Sequence, residues 1–202
     1  MKTLNFKENE VKELYFYNED DIDITYNLEK NSKLVVYHYA SDIDGNIIVN
    51  LNGEGATLEY HFSTINYNKH LVKIIVNHNV GETSSNIYNH AINIQDKKLV
   101  FDITGKVLNT SSKCTVNQEN QIINLSDGEG VILPNLLIDN YDVVSNHAAY
   151  IGKFKDELLY YLMSRGISKN SAIKILTKSL LINGGDINNK ELNKFLDKIN
   201  NL

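Results

Sequence analysis

The apolar residues of this chain change their period once, and that change constrains the fold more than any other feature. Through about Ile138 they come in short runs such as KLVVYHYA, GNIIVNLN, ATLEYHFSTI, HLVKIIVNH, KLVFDITG and QIINLSDG. These runs are rich in Val, Ile, Tyr and Phe. Several alternate apolar with polar, most cleanly from Thr57 to Phe62, which is strand patterning. DGN at 44–46, NGEG at 52–55 and DGEG at 127–130 are turn chemistry between them. From Phe154 the spacing becomes helical. Leu158, Leu159, Leu162 and Met163 mark one segment, stopped by Arg165-Gly166. Ser168 is a good N-cap for a second helix, with Ile173, Leu176 and Leu180 on one face and NGGD at 183–186 as its break. Asn188 and Glu191 then read as a capping box before a third helix.

The expected organisation is therefore a β body over residues 1–151 and a C-terminal helical domain over 152–202. Closely spaced strands without intervening helices suit a sandwich, a barrel or a solenoid. No repeat of fixed period is present, so periodicity leaves these open.

Composition excludes several functions. A net charge of −5 and no Lys/Arg run argue against a nucleic-acid surface. The N-terminal stretch MKTLNFKENEVKELYF has no apolar core of the kind a secretion signal needs, and no apolar run is long enough to span a bilayer. The expected setting is a reducing cytoplasm, with no membrane or nucleic-acid partner. One cysteine, Cys114, excludes an intramolecular disulfide and an all-cysteine metal site built by one chain. The six histidines form neither H-x-H nor H-E-x-x-H. Each reads equally as a solvated or hydrogen-bonded strand histidine. His61 is expected to point away from the core, opposite Tyr60 and Phe62. GEGA at 53–56 lacks phosphate-loop spacing and reads as a tight corner. There is no G-x-S-x-G elbow and no defensible carboxylate pair, so catalysis by this chain is not expected.

The order of VNHNVGETSSN (76–86), GKVLN (105–109), the long segment from Asn117 through the SRGIS at 164–168, and SAIKILTKSLL (171–181) resembles the SufB/SufD family, and the SufD type more than the SufB type. These are core subunits of the SUF machine for iron–sulfur cluster assembly. The resemblance implies a right-handed parallel β-helix followed by helices. It implies a non-catalytic scaffold that pairs with a SufB-like subunit or with itself, and that docks a SufC-like ABC ATPase. The family's N-terminal helical domain has no counterpart, so the chain looks like a minimal version. His147 matches the histidine after the Asp-Val strand, implicated in forming a transient cluster shared with a partner. An imidazole is a suitable iron ligand. SufB-type members carry a reactive cysteine where this chain has Glu119, and Cys114 is a further sulfur candidate. Tyr160, Tyr161, Arg165, Gly166 and Ile167 are the expected ATPase-docking residues, and the span from Leu99 to Ile138 the expected pairing surface. Two other readings stand beside this one. The first is a protein-binding solenoid without cluster chemistry. The second is a polysaccharide-acting β-helix enzyme, for which no Asp, Lys or Arg cluster is visible.

Overall fold

The computed structural model describes residues 2–182 and 184–202; Met1, and Asn183 at the start of the expected 183–186 break, lie outside the described residues. Among the described residues, twelve strands alternate between two six-stranded parallel sheets. Sheet A is ordered β1-β3-β5-β7-β9-β11: Lys2–Phe6, Ile22–Leu28, Gly45–Leu51, His70–His78, Lys98–Val107 and Glu129–Ile138. Sheet B is ordered β12-β10-β8-β6-β4-β2, with β2 at Val11–Asn18, β4 at Lys33–Ser41, β6 at Thr57–Asn66, β8 at Ser84–Asn93, β10 at Cys114–Asn124 and β12 at Val143–Gly152. Each turn of the chain adds one strand to each sheet, which makes the body a parallel β-solenoid. This resolves the choice that periodicity leaves open.

The corners explain the missing repeat. Asn5 lies 22 residues from its neighbour Asn27, whereas Lys98 lies 31 residues from Glu129. The strands keep their register while the corners between them lengthen. One corner is nevertheless built alike in successive turns. Asn9, Asn31, Gly55, Glu82 and Lys113 all have φ between 54° and 77°. Each donates its backbone N–H to a carbonyl of the next turn. Asn and Gly tolerate this left-handed conformation best. At Glu82 and Lys113 the two side chains make a 3.0 Å ion pair along the column. Close packing also governs GEGA: a Cβ on Gly53 would lie 1.9 Å from the backbone nitrogen of Lys30.

Alternation sorts the side chains. Tyr26, Leu34, Ile47, Leu58, Tyr60, Phe62, Val72 and Phe101 point inward and are fully buried. Outside sheet A, Asn5, Asn27, Asn50 and Asn77 form an amide ladder with N···O distances of 2.7, 2.8 and 2.9 Å. His61 points outward as expected. It is nonetheless nearly buried, stacked between Tyr37 and Tyr88 at 4.9 and 4.7 Å and bonded to Glu59 at 2.8 Å.

The helices are α1 (Asp156–Ser164), α2 (Lys169–Leu181) and α3 (Lys190–Asn200). Ser168 caps α2, accepting from the Ser171 N–H, and Gly166 ends the preceding turn at φ 83°. The cap of α3 is Asn189, which accepts from the Glu191 N–H, not the expected Asn188; the Asn188 N–H is taken by Asp186. Helices α2 and α3 cover part of the outer face of sheet B. Leu181, Leu192, Phe195 and Ile199 pack there on Tyr39, Ile65, Ile92 and Ile123. The inward side of α2 is Ala172, Thr177 and Leu181, one position off the expected Ile173, Leu176 and Leu180, which stay half-buried. That shift follows from α2 packing on the sheet as well as on its neighbouring helices. Helix α1 buries no residue.

The two ends of the solenoid differ. At one end, β1 and β2 each have a free edge, and Lys2 and Lys12 take inward positions, in register with Ile24 and Leu34. At the other end, β11 and β12 have free edges and their inward positions carry no charge. The chain's one proline, Pro134, lies in β11. An edge strand is where a missing ladder N–H is tolerated. Of the expected pairing span from Leu99 to Ile138, β9 and β10 are flanked by strands on both sides. Within it only β11 offers a free edge, and β12 outside it offers the other.

Candidate functional site

The uncharged end is built by the last strands of both sheets. In sheet B, β12 lies in parallel register on β10, so that Val143 pairs with Cys114, Gln118 with His147 and Asn120 with Ala149. His147 shares the inward parity of Gln118. Since no strand covers β12 on its far side, the imidazole is exposed although it faces the axis of the solenoid.

The inner columns leading to it change from apolar to polar. One runs Leu14, Val36, Tyr60, Ile87, Gln118, His147. Its neighbour runs Phe16, His38, Phe62, Asn89, Asn120, Ala149. Asn89, Gln118 and Asn120 are all buried. The Asn89 amide donates to Asn120 at 2.7 Å, and Asn120 donates to the Ala148 carbonyl at 3.5 Å. Gln118 donates to the Asn135 carbonyl of β11 at 3.3 Å. Gly105 makes room for this layer: a Cβ there would lie 2.6 Å from Val116 and 3.3 Å from the Gln118 nitrogen. Buried amides are costly unless bonded, so a polar layer at this depth is a deliberate expense. Sequence reading missed it. The visible signal is the pair of amides at alternate positions, Gln118 and Asn120, between Val116 and Ile122, where strand parity calls for apolar residues.

The three expected metal candidates are not brought together. Cys114 is buried, with its sulfur 3.3 Å from Thr83 Oγ1 and near the carbonyls of Val80, Ser111 and Ser112. It packs with Val107 and Val116. It stands four residues from the Gln118 level of β10, hence about 13 Å along the strand from the level of His147. Glu119 has the opposite parity. It faces outward, 3.7 Å from the Nε2 of His90, whose protonation is opposed by burial and aided by that carboxylate. Among the described residues, no three His, Cys, Asp or Glu side chains converge as a metal site. The other buried histidines are internally bonded. His38 contacts Tyr60 and Asn18 at 2.6 and 3.0 Å, and His78 contacts Thr83 and Ser85 at 2.8 and 2.9 Å.

A second surface lies on α1. Tyr160 and Tyr161 are 68% and 59% exposed. The Arg165 guanidinium sits 5.4 Å from the centre of the Tyr161 ring, Gly166 is exposed and Ile167 is half-buried. Tyr161 and Arg165 thus form one patch on a helix that contributes nothing to the core. Among the described residues, no helix is long and apolar enough to cross a membrane.

Comparison with known proteins agrees with this architecture. Residues 24–180 match the family described as "SUF system FeS cluster assembly, SufBD core domain". The chain is also 36% identical over 96 residues to the "Iron-sulfur cluster assembly protein SufD" of Bacillus subtilis (strain 168). That match covers 47% of this chain and 22% of the Bacillus protein, so the chain is aligned to less than a quarter of that relative's length. With its parallel solenoid, its trailing helices and a family match over most of its length, the chain belongs to the SufBD core-domain family of the SUF iron–sulfur cluster assembly system, on the SufD side.

Proposed function

We propose that this chain is a non-catalytic scaffold subunit for iron–sulfur cluster assembly. It pairs through the open β11/β12 end and docks an ABC-type ATPase through its C-terminal helices. The observation that carries this reading is the open end itself: two free parallel edges, no inward charge, and an exposed histidine at the mouth of a buried polar layer. Strand edges left free in this way are natural pairing surfaces. The partner is a SufB-like subunit or a second copy. The cluster is transient cargo, not a resident cofactor, and the partner supplies most of its ligands, because Cys114 and Glu119 point elsewhere. His147 offers a ring nitrogen to it. A single free cysteine fits a reducing cytoplasm.

The test is His147→Ala in the complex reconstituted with an ATPase and a SufB-like subunit. The variant should retain its melting temperature to within a few degrees, as roughly expected for an exposed side chain. Its iron and sulfide content should fall well below that of wild type. Full cluster yield would remove His147 from the chemistry. It would then favour a solenoid that only binds proteins, a reading the separation of Cys114, Glu119 and His147 already supports.

The docking surface is tested separately. Arg165→Ala and Tyr161→Ala should each weaken ATPase binding by at least about 1 kcal/mol, because exposed Tyr and Arg supply much of the energy of protein interfaces. Isothermal titration measures this directly. Wild-type affinity in both would move the docking surface to α3.

A further inference from the structure

The polar layer beneath His147 contains two buried acceptors without a partner among the described residues, Asn89 Oδ1 and Gln118 Oε1, and the second lies on the column that ends at His147. Gln118 donates its Nε2 to the Asn135 carbonyl. A carbonyl can only accept, so this bond decides which way the amide faces and sends Oε1 to the other side. Oε1 is buried and accepts no hydrogen bond among the described residues. Buried acceptors of this kind are rare in native interiors and ask for a donor. The residue in register with Gln118 on the neighbouring strand, about 4.8 Å away, is His147. Both have inward parity, and a neutral imidazole carries one N–H. The neighbouring column supports the strand that presents it, since Asn89 and Asn120 link the interior to the Ala148 carbonyl beside His147.

We propose that Gln118 is the positioning residue for His147: the bond is not made in the conformation seen here, but a turn of the His147 side chain brings its imidazole N–H to the unpartnered Oε1, which fixes the ring tautomer and leaves the other nitrogen's lone pair for iron. This rests on the reading of His147 given above. A ring whose N–H is held by a carbonyl has its free nitrogen defined in advance, which is how protein carbonyls commonly prepare a histidine for a metal. Gln118 need never touch the cluster. The position would be served by other acceptors but not by an aliphatic side chain of the same length.

The experiment is a long-range proton–nitrogen correlation of the His147 ring in the isotope-labelled, iron-free chain, with the imidazole neutral. One tautomer should dominate by about tenfold, the ratio that one net hydrogen bond supplies. Gln118→Leu should return the ring to a mixture. Gln118→Glu, which keeps an acceptor and loses the donor to Asn135, should preserve the single form. Mixed tautomers in the wild-type chain overturn the proposal without any variant, and so does a single tautomer that survives Gln118→Leu. If that variant does not fold, Gln118→Met, closer in shape, takes its place with the same expectation. The spectra need no iron or partner. A failure of His147 as a cluster ligand would therefore show in the cluster yield and not here, and the two failures are distinguishable.

Discussion

Acidification from pH 7 to about pH 4.5 should remove on the order of 5 kcal/mol of stability, enough to bring a domain of ordinary stability near unfolding. Two buried histidines are responsible. Burial pushes His38 from its ordinary 6.5 down to about 3, and His78 down to about 4. Each ring is satisfied as a neutral imidazole by the hydroxyl and amide groups around it. The sign follows from proton uptake. Below about pH 6.5 the unfolded chain binds a proton at each histidine that the folded chain refuses until about pH 3 or 4. Stability is therefore complete above pH 6.5 and falls steadily as the pH drops towards the folded values. Each histidine contributes about 1.4 kcal/mol per pH unit in that window. The carboxylates of Asp42 and Glu19 are held low, Asp42 by bonds from the Tyr67 and Asn68 amides and Glu19 by Lys198 and Tyr17, and they extend the loss to lower pH. Urea midpoints measured from pH 7.5 to 4.5 would show the slope, and His38→Gln should reduce it by about one proton. A midpoint that stays flat down to pH 5 would mean that these rings take up protons without unfolding the chain.

Phe62→Ala should cost about 3–5 kcal/mol, the range for removing a buried aromatic ring from a core that cannot close over the gap. Phe62 is fully buried in the middle of the solenoid. Its ring meets His38 at 5.6 Å and Phe101 at 6.1 Å, both nearly edge-on. It is the last large aromatic in its column before the amides of Asn89 and Asn120 take over. Backbone ladders hold β6 to strands on both sides, so collapse would have to move three strands together. Urea denaturation gives the cost. A value below about 1.5 kcal/mol would show that the interior refills from its neighbours.

Much of this architecture is legible in the residues themselves. Thr57 to Phe62 alternates as the strand it is, and the helical spacing read from Phe154 begins between the end of β12 at Gly152 and the start of α1 at Asp156. Ser168 and Gly166 cap and stop helices as their chemistry dictates. The solenoid was harder to read, because alternation within a strand is the same in a sandwich. The inter-turn offset also drifts from 22 to 31, which erases a fixed repeat. The corner column shows why. Asn9, Asn31, Gly55, Glu82 and Lys113 share one conformation with four residue types, and hydrogen bonds between turns, not side-chain identity, impose it. Family resemblance supplied what periodicity could not. The site follows the same rule. His147 stands out by resemblance, but the amides beneath it are visible only once the register of β10 on β12 is known. Asn188 reads as a cap in the sequence because Asn189, next to it, is chemically the same.

The unlike ends of the solenoid bear on how large an assembly it can form. A parallel solenoid is polar, and two equally receptive ends would let copies add head to tail without limit, giving an open fibre. Lys2 and Lys12 sit at inward positions over one end, with the Lys2 ammonium 5.6 Å above the Phe16 ring, so an incoming strand layer there would have to bury two charges. The opposite end asks no such cost. Under the pairing proposed above, contact between like ends closes after a single step and would yield a pair of defined size instead of a polymer.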